Sequence, residues 1–209
     1  MKLKDVVYIM MGQSPKGSSY NTKAQGIPLL NGPTEFGTKY PTETQWTKSP
    51  TKICKKNDLL FCVRGNTLGR MNWANKEYCI GRGLCAIHPK SDMNIQLIFY
   101  YLLLKGIEIL YGGSSTTFPN VSKDRLENYE IPLMPSKEQE QIVTQIEQGF
   151  SLIENTQQIV SSTLQQLEIM KMSILKQAFE GKLVPQDPND EPASVLLERI
   201  QKEKLKIRQ

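Results

Sequence analysis

The stretch that decides the fold is Ile131-Pro-Leu-Met-Pro-Ser-Lys-Glu-Gln139, because the sequence pattern changes its period there. Two prolines bracket the end of a strand-like apolar segment. Ser136 followed by Gln139 has the spacing of a capping box, in which a hydroxyl and an amide side chain each pair with a backbone N–H of the first helical turn. A helix is therefore predicted to begin at Ser136, with a domain boundary at residue 135.

Beyond this boundary, apolar residues recur at alternating steps of four and three, the spacing of a coiled-coil seam. From Ile146 to Ala178, eight of the ten seam positions are apolar, and Gly181 and Pro185 supply a stop. The seam spans about 50 Å at roughly 1.5 Å per residue, which predicts pairing with a helix of equal length; a helix lying across its own domain is the alternative. The predicted dimerisation residues are Ile146, Phe150, Ile153, Val160, Leu164, Leu167, Lys171 and Ile174.

Before the boundary, short apolar runs alternate with clusters of Gly, Pro, Asn and Ser, which is typical of strands and turns. Strands are predicted at Ile27–Leu30, Asp58–Val63, Tyr78–Ile80 and Leu84–Ile87. The segment Asn94–Leu110 departs from this pattern, because its apolar residues recur at helical spacing until Gly112 and Gly113. The sequence therefore predicts a β-rich domain with one helix packed on its sheet.

A last segment, Asp190–Arg208, has Pro192 near its first turn and apolar residues on one side, which predicts a short amphipathic helix. The predicted fold class is α+β. The predicted domains are a β-rich domain at residues 1–135, a long dimerisation helix at 136–181, and a linker with a short helix at 182–209.

Length and composition exclude several classes of protein. With 209 residues, 39% hydrophobic and 22% charged, the chain can bury a core in one domain plus an appendage. No apolar run approaches the roughly 18 residues of a membrane span, and no secretory signal is read, so a cytoplasmic location is predicted. The four cysteines lack metal-ligand spacing and the only histidine is His88, so no metal site is predicted and all five are assigned structural roles.

Charge is distributed unevenly along the chain. Residues 1–135 contain 17 Lys and Arg against 10 Asp and Glu, and residues 136–209 contain 9 against 11. A basic first part and a faintly acidic second part suggest two different roles, with contact to a polyanion on the first part. A solvated basic surface without a partner is the alternative.

Polar loops between the predicted strands are the candidate nucleic-acid contacts. The segment 64–73, which contains Arg64, Asn66, Arg70 and Asn72, follows a buried strand and combines the side chains that pair bidentately with guanine and adenine. A second loop, 13–21, contains Lys16 and Tyr20. The segment 111–118 resembles an anion-binding loop without the P-loop lysine, and contributes Ser115, Thr116 and Thr117. A polar hairpin loop is the alternative for 64–73.

One segment has the form of a cofactor-binding loop, and the pattern of a methyltransferase catalytic loop is absent from the sequence. Gly81-Arg-Gly-Leu-Cys-Ala86 has the loose form of a dinucleotide-binding loop, but no helix follows it, so a structural turn is predicted. The chain has no Asn or Asp followed by Pro-Pro and an aromatic residue, the pattern of a methyltransferase catalytic loop. We therefore expect no catalytic residues and no cofactor bound by this chain.

Six segments together resemble the DNA-specificity subunit of Type I restriction-modification systems, and they cover the chain nearly from end to end in the same order. They are Gly12–Pro15, Asp58–Gly65, Phe118–Ser122, Ile131–Leu133 followed by Glu138-Gln139, Ser173–Val184 and Asn189–Ala193. The resemblance implies a target-recognition domain at 1–135, the family's conserved helix after it, and no catalytic activity. It also implies double-stranded DNA as ligand, a modification subunit that transfers methyl groups from S-adenosylmethionine to adenine, and possibly a restriction subunit.

One departure from the family pattern bears on assembly. Members of the family usually carry two recognition domains and two conserved helices, whereas this sequence contains one of each. We expect either a homodimer that reads an inverted repeat or a relic half-subunit, and the intact seam favours the homodimer. A coiled-coil adaptor without a nucleic-acid role and a methyltransferase in its own right are the competing functions.

Overall fold

The computed structural model of the chain describes residues 1–91, 93–111, 120–185 and 187–207, with backbone alone for 106–111 and 207. Two compact units, residues 1–147 and 148–209, divide the chain. The strands, numbered in chain order, are β1 (Val7–Met11), β2 (Tyr20–Asn21), β3 (Ile27–Leu30), β4 (Trp46–Thr47), β5 (Ile53–Cys54), β6 (Leu59–Cys62), β7 (Met71–Trp73), β8 (Tyr78–Ile80) and β9 (Leu84–Pro89). The α-helices are α1 (Leu3–Val6), α2 (Ile95–Tyr111), α3 (Lys123–Glu127), α4 (Ser136–Phe179) and α5 (Ala193–Ile207).

The strands form two sheets in the first unit. One has four antiparallel strands in the order β1-β9-β6-β7, and the other has five short strands in the order β2-β4-β3-β8-β5. Within the five-stranded sheet, β3 and β8 run parallel, so their carboxyl ends meet at one edge. The predicted α+β class, with a helix packed on a sheet, is confirmed.

Strand β6 is covered on both faces, which explains why its sequence is continuously apolar. Leu59 and Phe61 face a core that contains Leu97, Ile98 and Leu102 of α2, whereas Leu60 and Cys62 face a second core. Successive side chains of a strand point to opposite faces, so a strand covered on both faces needs apolar residues at every position. All four residues of β6 are accordingly buried.

The long helix α4 begins at Ser136, as predicted, but its start is not held by a capping box. The side chain of Gln139 is buried, and its carbonyl oxygen accepts from the backbone N–H of Asn94 at 2.9 Å. Its amide nitrogen donates to the carbonyl oxygen of Met134 at 2.8 Å. Burial of Gln139 thus directs its side chain into the fold rather than back to the first turn.

The carboxyl end of α4 has the predicted glycine stop. Gly181 adopts a φ of +68°, its N–H donates to Ala178, and the N–H of Lys182 donates to Gln177. These two bonds form a Schellman motif, which pairs carbonyl groups that the last turn would otherwise leave free. The second unit also contains α5, within the predicted segment 190–208. In the described ranges, no helix is both long and apolar enough to cross a membrane.

Candidate nucleic-acid interface

The positive charge of the first unit is concentrated in the strands and loops between residues 12 and 82. This stretch contains eleven Lys and Arg against four Asp and Glu, a net charge of +7. The net charge of all residues 1–135 has the same value, so the flanking segments contribute none. Any contact with a polyanion is therefore expected on this stretch.

The loop between β6 and β7, residues 63–70, is closed at its base by backbone hydrogen bonds and has a buried anchor. The N–H of Gly69 donates to Cys62 and the N–H of Cys62 donates to Arg70. Leu68 is buried, while Gly65 and Gly69 adopt positive φ values that a side chain would strain. This arrangement turns the polar side chains outward, and the predicted contact residues Arg64, Asn66 and Arg70 are exposed.

The turn at Gly81–Gly83 is packed closely against two other segments. The N–H of Gly81 donates to Leu30 at 2.7 Å, and the N–H of Arg82 donates to the hydroxyl of Ser14 at 3.2 Å. A Cβ added at Gly81 would lie 2.7 Å from the Asn31 Oδ1 atom. The turn is structural, as predicted, and it also presents the side chain of Arg82 to solvent.

Arg64 and Arg82 lie at the same end of two paired strands. In the antiparallel register of β6 and β9, Cys62 is opposite Leu84. The N–H of Val63 also donates to the carbonyl oxygen of Gly83 at 2.9 Å, so the residue before Arg64 lies beside the turn that carries Arg82. Beyond this bond the two segments have other partners: the N–H of Leu84 donates to Gly81 across the turn, and Arg64 forms an isolated bridge with Asn120. Neither guanidinium forms an ion pair with an acidic group in the part of the chain that the structure describes.

The second predicted loop joins the same edge. Lys16 is exposed, and its carbonyl oxygen accepts from the Ser19 hydroxyl at 2.8 Å. Tyr20 is half-buried, and its hydroxyl donates to the carbonyl oxygen of Pro15 at 3.2 Å. Because Ser14 of this loop binds the backbone of Arg82, residues 12–20 and the turn 81–83 form one continuous surface. We call Lys16, Tyr20, Arg64, Asn66, Arg70 and Arg82 the basic edge.

Asn72 is not part of this surface. It is 3% exposed, and its amide nitrogen donates to the carbonyl oxygen of Gly37 at 2.9 Å. Its carbonyl oxygen has no hydrogen-bond partner among the described residues. Asn72 lies opposite Leu60 in the β6–β7 register, on the face that packs inward. The prediction of a DNA contact at Asn72 is therefore not carried forward. Ser115, Thr116 and Thr117 lie outside the described residues.

Arg82 lies at this surface, where the sequence predicts only a structural turn. Asn31 and Gln45, whose side chains are hydrogen-bonded to each other, lie outside the predicted contact loops. The one available signal was the position of Asn31 directly after the predicted strand Ile27–Leu30, where a side chain is free to project from the end of a sheet.

The four cysteines are buried, and the histidine lies against a carboxylate. All four cysteines are free thiols and buried. Burial raises the pKa of the Cys54 thiol from 9.0 to about 12, and burial also raises the pKa of Cys85 well above its ordinary value. His88 Nδ1 lies 2.7 Å from Asp58 Oδ1. Among the described residues, no three His, Cys, Asp or Glu side chains are grouped so that they could hold a metal ion.

The predicted dimerisation residues lie along helix α4. Ile146, in the first unit, is half-buried, and Lys171 Nζ lies 3.8 Å from Glu168 Oε2 of its own helix. The apolar seam residues of the second unit are between 45% and 60% exposed, namely Phe150, Ile153, Val160, Leu164, Leu167 and Ile174. An apolar stripe of this length on one helix is typical of a surface that another helix covers.

Comparison with known proteins gives the family. Residues 1–168 match the family model of the Type I restriction modification DNA specificity domain. A specificity subunit assigned to the type I restriction enzyme MjaX of Methanocaldococcus jannaschii is 37% identical, over 84% of this chain and 40% of that protein. The type I restriction enzyme EcoEI specificity subunit of Escherichia coli is 30% identical, over 61% of this chain and 30% of that protein.

Solved structures agree with this result. The HsdS subunit from Thermoanaerobacter tengcongensis has a TM-score of 0.73 and 34% identity, over 88% of this chain and 45% of that chain. A chain from a structure of the assembly and conformational transition of the type I R-M system has a TM-score of 0.75, also at 34% identity. This chain thus spans about two fifths of the M. jannaschii protein and less than half of each solved chain. It belongs to the DNA-specificity subunits of Type I restriction-modification systems.

Proposed function

We propose that this chain is the sequence-specific DNA-recognition subunit of a Type I restriction-modification complex. It binds double-stranded DNA through the basic edge and carries no catalytic residue of its own. The observation that carries the proposal is the placement of Arg64 and Arg82 on neighbouring strand ends, both exposed and close to a second basic loop. Arginine is the side chain best suited to bidentate contact with guanine and with phosphate.

The proposed chemistry takes place on partner subunits. A modification subunit transfers a methyl group from S-adenosylmethionine to adenine, and a restriction subunit, where present, translocates and cuts the DNA. This chain supplies the position on the DNA. Support comes from family membership and from the raised pKa of Cys54 and Cys85, which leaves these buried thiols protonated and unreactive near neutral pH.

The proposed assembly is an antiparallel homodimer through α4. In a parallel pair, Lys171 would face its own copy at a core position, where two ammonium groups repel. In an antiparallel pair centred near residue 162, Lys171 lies opposite Ile153 and within reach of Glu154 of the other copy. A two-fold dimer presents the same reading surface twice, so the proposed site is an inverted repeat with an unread spacer.

The experiment that tests the function maps methylated adenines in DNA after expression of the full chain with a modification subunit. We expect methylation at one bipartite palindromic sequence, and none with either protein alone. Methyl transfer by the purified chain alone would show that it is an enzyme instead. Failure to bind any duplex at low salt, with the modification subunit present, would favour the coiled-coil adaptor.

A further inference from the structure

Two side-chain amides, those of Asn31 and Gln45, lie at the edge of the five-stranded sheet beside the basic edge. Asn31 follows β3 and Gly81 follows the parallel strand β8, so both project from the same end of the sheet. Gln45 precedes β4, and its backbone carbonyl accepts from the N–H of Leu29 at 2.8 Å. Both amide side chains are half-buried.

The orientation of the Gln45 amide is set by Asn31. Asn31 Nδ2 donates to Gln45 Oε1 at 3.0 Å. Asn31 itself is held against Gly81, where no Cβ would fit, and its Oδ1 lies 3.5 Å from the oxygen of the Tyr20 hydroxyl, which also contacts Pro15. Because this bond uses the oxygen of the Gln45 amide, the nitrogen is the atom left for another partner.

The Gln45 amide keeps unused hydrogen-bonding capacity. Its nitrogen carries two N–H groups that meet no hydrogen-bond acceptor in the described part of the chain, and it is not among the buried unsatisfied atoms found there. Its oxygen retains a second lone pair beyond the bond from Asn31. A donor beside an acceptor matches the major-groove edge of adenine, which presents the N7 acceptor and the N6 amino donor.

We propose that Gln45 is a base-reading residue that recognises an adenine in the major groove, with Asn31 as its positioning residue. Arg82 lies beside this pair, because the Gly81 turn that carries it packs on Asn31, and Lys16 lies in the loop that contacts the turn. These cations hold the DNA backbone while the amide reads the base. This inference rests on the proposed function, since it assigns specificity within the same surface.

The test compares the target sequences of Gln45→Ala, Gln45→Glu and Asn31→Ala, each as the full chain with its modification subunit on a pool of random duplexes. Gln96→Ala, an exposed glutamine on α2, is the matched control. We expect Gln45→Ala to lose about tenfold or more of its discrimination at one base pair of each half-site. Gln45→Glu keeps the oxygen that Asn31 binds but replaces the donor, so the preference at that position should move from adenine to cytosine.

The Asn31→Ala protein should relax the same base pair and no other, which a merely structural role would not produce. If Gln45→Ala lowers the melting temperature by more than a few degrees, the test of base reading uses the isosteric Gln45→Glu protein alone. An unchanged target sequence in folded Gln45→Glu protein would overturn the inference. If Arg64→Ala and Arg82→Ala weaken DNA binding in that case, the proposed function still holds. If the unaltered chain does not bind DNA, the proposed function and this inference both fail.

Discussion

Asn94 donates its backbone N–H to the side-chain oxygen of Gln139 over 2.9 Å, which ties the start of α2 to the first turns of α4. Asn94 also accepts at its own side chain from the N–H of Gln96 at 2.9 Å, so it caps α2 at the same time. Val143, one turn further along α4, is buried in the core that contains α2. The first turns of α4 therefore belong to the first unit, which extends beyond the predicted boundary at residue 135.

Replacement of Gln139 by Ala should lower the free energy of unfolding by about 1–3 kcal/mol. The change removes the hydrogen-bond partner of two partly buried groups, the N–H of Asn94 and the carbonyl of Met134, and it truncates a buried side chain. Chemical denaturation of the purified protein measures this difference. Gln141→Ala, an exposed glutamine on the same turn, should stay within about 0.5 kcal/mol. Equal stabilities for the two variants would contradict the role of Gln139.

The stability of the first unit should fall as pH rises above about 9. Burial raises the pKa of Cys54 from 9.0 to about 12, and burial raises that of Cys85 further, so above pH 9 the folded state binds more protons than the unfolded state. The stabilisation is complete below pH 9 and is lost as pH rises toward 12, by up to about 1.4 kcal/mol per pH unit for each thiol. Urea denaturation between pH 8 and 10.5 measures the slope, which should be shallower in Cys54→Ala. An equal slope in both proteins would disprove the assignment.

The sequence predicted the elements whose pattern is set by local chemistry. The bounds of α4 followed from the proline pair before Ser136 and from Gly181 after it. The apolar run at Leu59–Val63 predicted a buried strand, which is β6. Short strands such as β2 and β4, of two residues each, escaped prediction because their pairing depends on neighbours that are distant in sequence.

The candidate site was predicted only in part, because some of its residues are recognisable locally and others depend on strand pairing. Charge and residue type identified Arg64 and Arg70, because an exposed polar loop after a buried strand is recognisable locally. Register decided the rest: Asn72 points inward because it pairs with Leu60, and Arg82 lies at the same end of the sheet as Arg64 because β9 pairs with β6. Side chains alternate between the two faces of a strand, so the register decides which of them point inward. The register cannot be inferred from one strand alone.

Substitution of Arg64, Arg70 or Arg82 by Ala should weaken DNA binding in one of two recognisable ways. An arginine on a phosphate should weaken all sequences alike and reduce the salt dependence by about one unit of slope. Loss of an arginine that reads a base should cost about 1–3 kcal/mol of binding free energy and relax the sequence preference at a single position. Fluorescence anisotropy at several salt concentrations distinguishes them, with Arg199→Ala on α5 as the control. If Arg64→Ala and Arg70→Ala both direct methylation to the same sites at full efficiency, the loop 64–70 is wrongly assigned.

A charge at the centre of the α4 seam should dissociate the proposed dimer. In the antiparallel register, Leu164 lies opposite Val160 of the other copy, so Leu164→Glu would bury a carboxylate without a partner. Sedimentation at micromolar concentration should show a dimer for the unaltered chain and a monomer for this variant. Gln165→Glu, one position along the helix and off the seam, should remain a dimer. A monomeric unaltered chain, both alone and with its modification subunit, would refute the homodimer.

The length of α4 should set the spacing of the two half-sites. Its 44 residues span about 66 Å at 1.5 Å per residue, more than one DNA turn of about 34–36 Å. Four residues inserted after Ser162 lengthen the helix by about 6 Å and also rotate its two halves, because four residues exceed one turn. We expect a spacer about two base pairs longer with unchanged half-sites, or loss of binding. Seven inserted residues preserve the heptad phase and lengthen the helix by about 10.5 Å, so this control should keep its binding with a spacer about three base pairs longer. Methylation mapping measures the spacer in both variants. An asymmetric target, or a spacer that stays the same in both insertion variants, would show that the length of the helix does not set the spacing.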